Sequence, residues 1–251
     1  MNRARPAGEA ATVQRAAAIT LAPVSVWTVG GLWLDSHVGS GGQLALGLLT
    51  ACVLAGLLVL QSPAVRVLAL GVVVIATLGE VVGSLIWGLY GYRLDNLPAF
   101  VPPGHGLVYL AGLALATLAA SRGTALLVVA AAAAAVWGVA GLWFLPAMDV
   151  AGAIGCAFLI LVFARTRRPV YAGVFVVVAV LEVYGTALGT WTWESSVPGL
   201  GLAQGNPPSG VASGYVVFDV VALWLTARAG EALRRAPRLP ALPQLSPHAR
   251  R

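Results

Sequence analysis

The sequence predicts an all-α membrane protein, a polytopic bundle of eight transmembrane helices built as two parallel four-helix repeats. Three observations carry that prediction. Of 251 residues, 59% are hydrophobic and only 10% are charged, against about 25% charged in a soluble domain. Eight apolar stretches follow one another at spacings suited to membrane spans. Three short segments of the first half recur, in the same order, in the second.

The apolar stretches lie near 16–34, 43–61, 67–92, 106–121, 124–145, 149–164, 170–193 and 210–227. A span needs about 20 residues, within a range of roughly 17–25, so the fourth and sixth are short. The first stretch follows an arginine-containing start, as a signal peptide does. Its counterpart in the second half is an internal span, so it is read as a retained helix.

The recurrence is specific. VWTVGGLW (26–33) returns as VWGVAGLW (136–143), and VPPGHG (101–106) as NPPSGV (206–211). Between them, GEVVGSLIWGLYGY (79–92) answers LEVYGTALGTWTW (181–193), aligning Glu80 with Glu182 and Gly83 with Gly185. One such match between Gly/Ala/Val-rich helices is within chance, whereas three in order at nearly constant offset indicate a duplication. The expected organisation is an N-terminal tail (1–15), a first unit (16–121), a second unit (122–228) and a tail (229–251). That last segment is rich in Arg and Pro without apolar periodicity, the composition of a disordered segment.

Charge orients the bundle. With eight spans, fourteen of the fifteen basic residues fall on the side holding both tails and the loops after spans two, four and six. Arg93 alone falls on the other side, where the loops carry Asp35, Asp95, Asp149 and Glu194. By the positive-inside rule both termini of a cell-membrane protein are then cytoplasmic. An even number of spans per unit makes the repeats parallel.

Composition also excludes chemistry. Every basic residue is Arg, so no lysine Schiff base is available. Cys52 and Cys156 sit in apolar segments as small hydrophobes, and His37, His105 and His248 are too scattered for a histidine metal cluster. No zincin, nucleophile-elbow or phosphate-loop pattern is present. No metal or cofactor is expected. The arginines lie in tails and short loops between spans, which reads as topology and not as a nucleic-acid surface.

Three carboxylates remain that no loop claims: Glu80, Glu182 and Asp219. An aspartate at the centre of a span costs about 2.5–3.5 kcal/mol on insertion, so such groups turn to the bundle interior. Gly79/Gly83 and Gly185/Gly189 are small-xxx-small pairs expected to let helices three and seven pack closely. Packing the units face to face would bring Glu80 toward Glu182. Crowded carboxyls in low dielectric cannot all ionise, which leaves a proton to donate.

The stretch GNPPSGVASGYVVFD (205–219) places Asn206 as an N-cap and Pro207 as the first residue of the last helix. That helix carries Tyr215 and Asp219 inward four residues apart, a spacing at which the phenol reaches the carboxylate. The equivalent fourth helix carries His105 and Tyr109 and has no acid. Trp87, Tyr90, Tyr92, Trp191 and Trp193 gather at the same ends, either as an interfacial belt or as an aromatic mouth for an apolar or cationic group. Arg93 is expected near His105, either binding a headgroup or phosphate or pairing with Asp95.

One Glu in an early span with one Asp in the last resembles the small integral-membrane terpene cyclases of meroterpenoid pathways. The resemblance covers Glu80, Asp219 and a general size, and does not extend to the duplicated Pro-Pro segment. The expected function is an intramembrane acid–base enzyme acting on a lipophilic, lipid or isoprenoid-like substrate, such as an isomerase, cyclase or hydratase. Asp219 is the expected donor, with Glu182 or Glu80 as base or proton store. Substrate contacts are expected from His105, Arg93, Tyr109, Tyr215, Trp87, Trp191 and Asn206, and membrane lipids are the surroundings. A proton-coupled transporter or lipid flippase is the alternative, and a non-catalytic assembly protein the third.

Overall fold

The computed structural model describes residues 7–235. Its helices are α1 (Ala7–Asp35), α2 (Ser40–Val59), α3 (Pro63–Glu80), α4 (Val101–Leu118), α5 (Gly123–Trp143), α6 (Val150–Thr166), α7 (Pro169–Ala187) and α8 (Ala212–Arg235). A π-helical segment, Val81–Ile86, continues α3, and two three-residue strands, β1 (Tyr90–Tyr92) and β2 (Trp191–Trp193), pair antiparallel.

Six helices are long and apolar enough to cross a membrane: α1 to α5 and α7. The chain is a multi-pass, all-α membrane bundle. α6 is shorter, at 17 residues, and α8 turns charged in its last turns. Large apolar side chains stand exposed around the perimeter, among them Val26, Leu48, Val74, Val129 and Val180. In water such a surface would be an aggregation liability; in hydrocarbon it is the solvated face.

The most buried spans are α4 and α7, and glycine is why they can be. A Cβ on Gly112 would collide with the backbone of Val174, and one on Gly173 with the backbone of Gly112, so the two helices approach to backbone contact. α8 lies along α3 and α7, with Phe218 seated against Gly79 and Thr226 against Gly71.

Several boundaries differ from the sequence reading. The third and seventh stretches do not remain helical to residues 92 and 193. The chain turns at Gly88 (φ +72°) and Gly189 (φ +69°), backbone angles that an L side chain rarely adopts, and the residues beyond become β1 and β2. At the N-terminus α1 begins at Ala7, inside the expected tail, and α8 runs on to Arg235. The tail expected to be disordered otherwise lies outside the described residues.

Two buried aspartates fasten the end that carries the sheet. Asp149 accepts from the backbone N–H groups of Gly152 (2.9 Å), Gly205 (2.9 Å) and Ser209 (2.6 Å), pinning the 203–211 loop to the start of α6. Asp35 accepts from Gln43 Nε2 at 2.8 Å, and Gln43 accepts from Asn96 at 3.0 Å. Arg93 donates to the carbonyls of Asp35 and Val38 and lies 3.9 Å from the Asp35 carboxylate. Both arrangements hold a post-strand loop over the bundle end.

Candidate functional site

Glu80 closes α3, and the next turn is π-helical, with Trp87 N–H donating five residues back to Val82 at 2.8 Å. After the Gly88 turn, β1 brings Tyr90 and Tyr92 back over the carboxylate. Both hydroxyls donate to Glu80 Oε2, at 2.7 and 2.6 Å. The other oxygen, Oε1, stands 2.8 Å from His105 Nε2 on the first turns of α4, with one hydrogen bond between them. Burial, and then the Glu80 carboxylate, push the Tyr90 and Tyr92 phenols up, so both remain donors.

Glu182 has the parallel setting. β2 returns Trp191 and Trp193, whose indole N–H groups donate to Oε2 at 2.8 and 3.1 Å. Tyr215, from the first turn of α8, donates to Oε1 at 3.1 Å. Each carboxyl thus has two aromatic partners from a strand and one from a following helix.

The sequence distances differ by one: Tyr90 is ten residues beyond Glu80, and Trp191 is nine beyond Glu182. The π turn in the first half takes up the additional residue, as a π-bulge does within a helix. Glycines one turn on leave room for the rings. A Cβ on Gly83 would sit 3.3 Å from Tyr90, and one on Gly185 would overlap Trp191. Of the glycines expected to bring helices three and seven together, Gly79, Gly83 and Gly185 make space for aromatic side chains, and Gly189 forms a turn.

Both carboxyls, His105 and Tyr215 line one cavity of about 220 Å³. Trp27, Phe100, Tyr90, Trp193 and Phe218 supply much of the rest of its wall. The strand register sets aromatic against aromatic, with Tyr90 opposite Trp193, ring centroids 4.4 Å apart, and Tyr92 opposite Trp191 at 6.2 Å. The His105 and Tyr215 rings lie 4.9 Å apart and join the two halves directly.

Of the expected site residues, Glu80, Glu182, His105, Tyr215 and Trp191 come together here. Asp219 does not. It is buried one helical turn beyond Tyr215, outside the cavity wall. Tyr215 gives its hydroxyl to Glu182 rather than to Asp219, because Glu182 lies across the cavity directly in its path. Tyr109, one turn beyond His105, is likewise buried outside the cavity wall.

The remaining expectations resolve as fastenings. Arg93 neither approaches His105 nor pairs with Asp95, but clamps the end of α1. Trp87 donates to the carbonyl of Pro198 at 2.9 Å and holds the long loop. Asn206 is no N-cap, since α8 begins at Ala212; its Oδ1 accepts from Trp193 N–H at 3.1 Å. The sequence reading missed Trp27, Phe100 and Phe218 as cavity residues, and took Tyr90, Tyr92 and Trp193 as an aromatic cluster without seeing their carboxylate partners. The signal available was the aromatic-x-aromatic spacing after each glycine, which has the two-residue period of a strand.

No protein-family model, curated protein or solved structure matches the chain.

Proposed function

We propose that the chain is an intramembrane acid–base enzyme that moves protons on a lipophilic, lipid or isoprenoid-like substrate, as an isomerase, cyclase or hydratase. The observation that carries the reading is the meeting of the Glu80–His105 pair with Glu182 inside one aromatic-walled cavity. At about 220 Å³, it is below the roughly 300–1,000 Å³ of pockets that enclose a whole drug-sized ligand. It suits the reacting end of a longer molecule lying among the helices.

In this reading the Glu80–His105 pair delivers a proton to an alkene carbon or an epoxide oxygen. The bond that receives the proton gives up its electron pair, and a cation forms at the neighbouring carbon. The ring faces of Tyr90, Trp193 and Trp27 stabilise that cation, and Glu182 lines the same cavity. Loss of a proton from an adjacent carbon, or capture of water, completes the reaction, and the Glu80–His105 pair takes the proton back.

The same proposal places all eight helices across the cell membrane as two tandem units, with the arginine-rich end cytoplasmic. Its support is the matched sequence Glu, Gly, left-handed Gly and aromatic-x-aromatic in each half, and the register centred on Gly91 opposite Thr192. A twofold axis through that central pair exchanges Tyr90 with Trp191 and Tyr92 with Trp193. A carboxyl from each half facing one cavity also favours a second reading, a proton-coupled transporter.

Lipid extracts of cells expressing the protein or its Glu80→Gln variant decide between them. The enzyme reading predicts a lipophilic product present with the wild type and lost with the variant. Unchanged extracts, together with proton-dependent uptake into vesicles, would establish the transporter instead.

A further inference from the structure

The rings of the cavity wall come from separate parts of the chain. Trp27 belongs to α1, Tyr90 to β1, Trp193 to β2, and Tyr215 and Phe218 to α8, while Phe100 stands just ahead of α4. They surround the space instead of flooring one side of it. Besides phenols, the ionisable groups on this wall are Glu80, Glu182 and His105, and among the described residues no arginine lines it. Arg93 is turned instead to the carbonyls of Asp35 and Val38. Acids inside a ring of aromatic side chains favour a cationic ligand.

The hydrogen bonds on the two carboxyls narrow the ligand further. A carboxylate offers about four acceptor positions. Tyr90, Tyr92 and His105 engage three of them at Glu80, and Trp191, Trp193 and Tyr215 engage three at Glu182. Thr50 is engaged as well, donating to the Leu46 carbonyl at 2.6 Å and accepting from the Trp27 indole at 3.0 Å. A primary ammonium would bring three N–H donors to a wall with few free acceptors, and a buried donor left unpaired costs free energy. A cation without N–H groups carries no such cost and still gains from the ring faces. A phosphate joined to it would find no arginine to pair with.

We propose that the cavity binds a quaternary ammonium group at the end of an apolar chain, with no phosphate beside it. The volume of about 220 Å³ takes the headgroup, and Leu32, Leu46 and Leu181 on the wall offer apolar contact to the chain that follows. The proposal goes beyond the acid–base reading and does not depend on it. The site holds a permanent cation where the proposed reaction would form a transient one.

The test is isothermal titration calorimetry of the full chain in maltoside micelles, with the heats of protein-free micelles subtracted. Hexyltrimethylammonium is expected to bind at least tenfold more tightly than hexylammonium or hexylphosphocholine. Trp27→Leu and Phe100→Leu each remove a wall ring that makes no hydrogen bond to either carboxyl. Each should weaken hexyltrimethylammonium binding by about 2–30-fold, the worth of a cation–π contact. Hexylammonium or hexylphosphocholine binding as tightly as hexyltrimethylammonium would overturn the proposal, and so would unchanged affinity in both ring variants. Should the ring variants fail to fold, the ligand series on the wild type decides alone. Binding without a Glu80-dependent product in the lipid extracts would keep the ammonium site and remove the enzyme, and a product without binding would do the reverse.

Discussion

Glu80 and Glu182 are two carboxyls in nearly the same geometry and in different chemistry. Each is held by two rings from a strand and one from the helix that follows. Around Glu80 the partners are two phenols and an imidazole, and an imidazole nitrogen can donate or accept a hydrogen bond. Around Glu182 they are two indoles, which only donate, and one phenol. A repeated frame thus presents two different sets of partners: the first niche sets an imidazole beside its carboxyl, and the second surrounds its carboxyl with indole and phenol donors.

Removing the exchangeable group should have the largest effect. Glu80→Gln is expected to lower product formation by about 10²–10⁴-fold, the usual worth of a general acid–base group, with the chain still folded. Glu182→Gln should cost less than Glu80→Gln and leave the shape of the pH–rate profile alone. A profile altered by Glu182→Gln and not by His105→Asn would reverse the assignment of the two niches.

Stability measurements sharpen the same comparison. Gly185→Ala drives a Cβ into the Trp191 ring, whereas Gly83→Ala makes a 3.3 Å contact with Tyr90. Thermal unfolding in detergent should show a loss of about 1–3 kcal/mol for Gly185→Ala, typical of overpacking, and a clearly smaller one for Gly83→Ala. Equal losses would mean that the two ring seats are equally tight, against the contacts described.

The smallest effect is spectroscopic. The Tyr90 and Tyr92 phenols are pushed up in the folded protein, so their contribution to stability is full below the ordinary tyrosine pKa of about 10 and declines as pH rises above it. Tyr90 and Tyr92 should form tyrosinate only as the protein unfolds. Their ionisation in the folded protein at the ordinary pH would contradict the burial of the Glu80 niche.

Much of this was legible in the residues. Low charge and long apolar runs give the bundle, and an acid inside a span gives Glu80 and Glu182 as interior groups. The strands were not legible, because Tyr, Trp and Gly in an apolar run are compatible with a helix end until Gly88 and Gly189 are seen to turn left-handed. Four-residue spacing puts Tyr215 and Asp219 on one face but leaves open which of two acids the phenol reaches. That choice belongs to the packing of α8 against α7. Arg93 was similarly out of reach of sequence, since its partners at Asp35 and Val38 lie more than fifty residues away.

In the proposed reaction Glu80, through His105, transfers a proton to the substrate. Incubation in D2O of membranes bearing the protein with lipids extracted from non-expressing cells grown in H2O, followed by mass spectrometry, tests it. Wild type should yield a product carrying solvent deuterium at a carbon or at a new hydroxyl, Glu182→Gln the same label in smaller amount, and Glu80→Gln none. A labelled product formed at undiminished level by Glu80→Gln would contradict the claim.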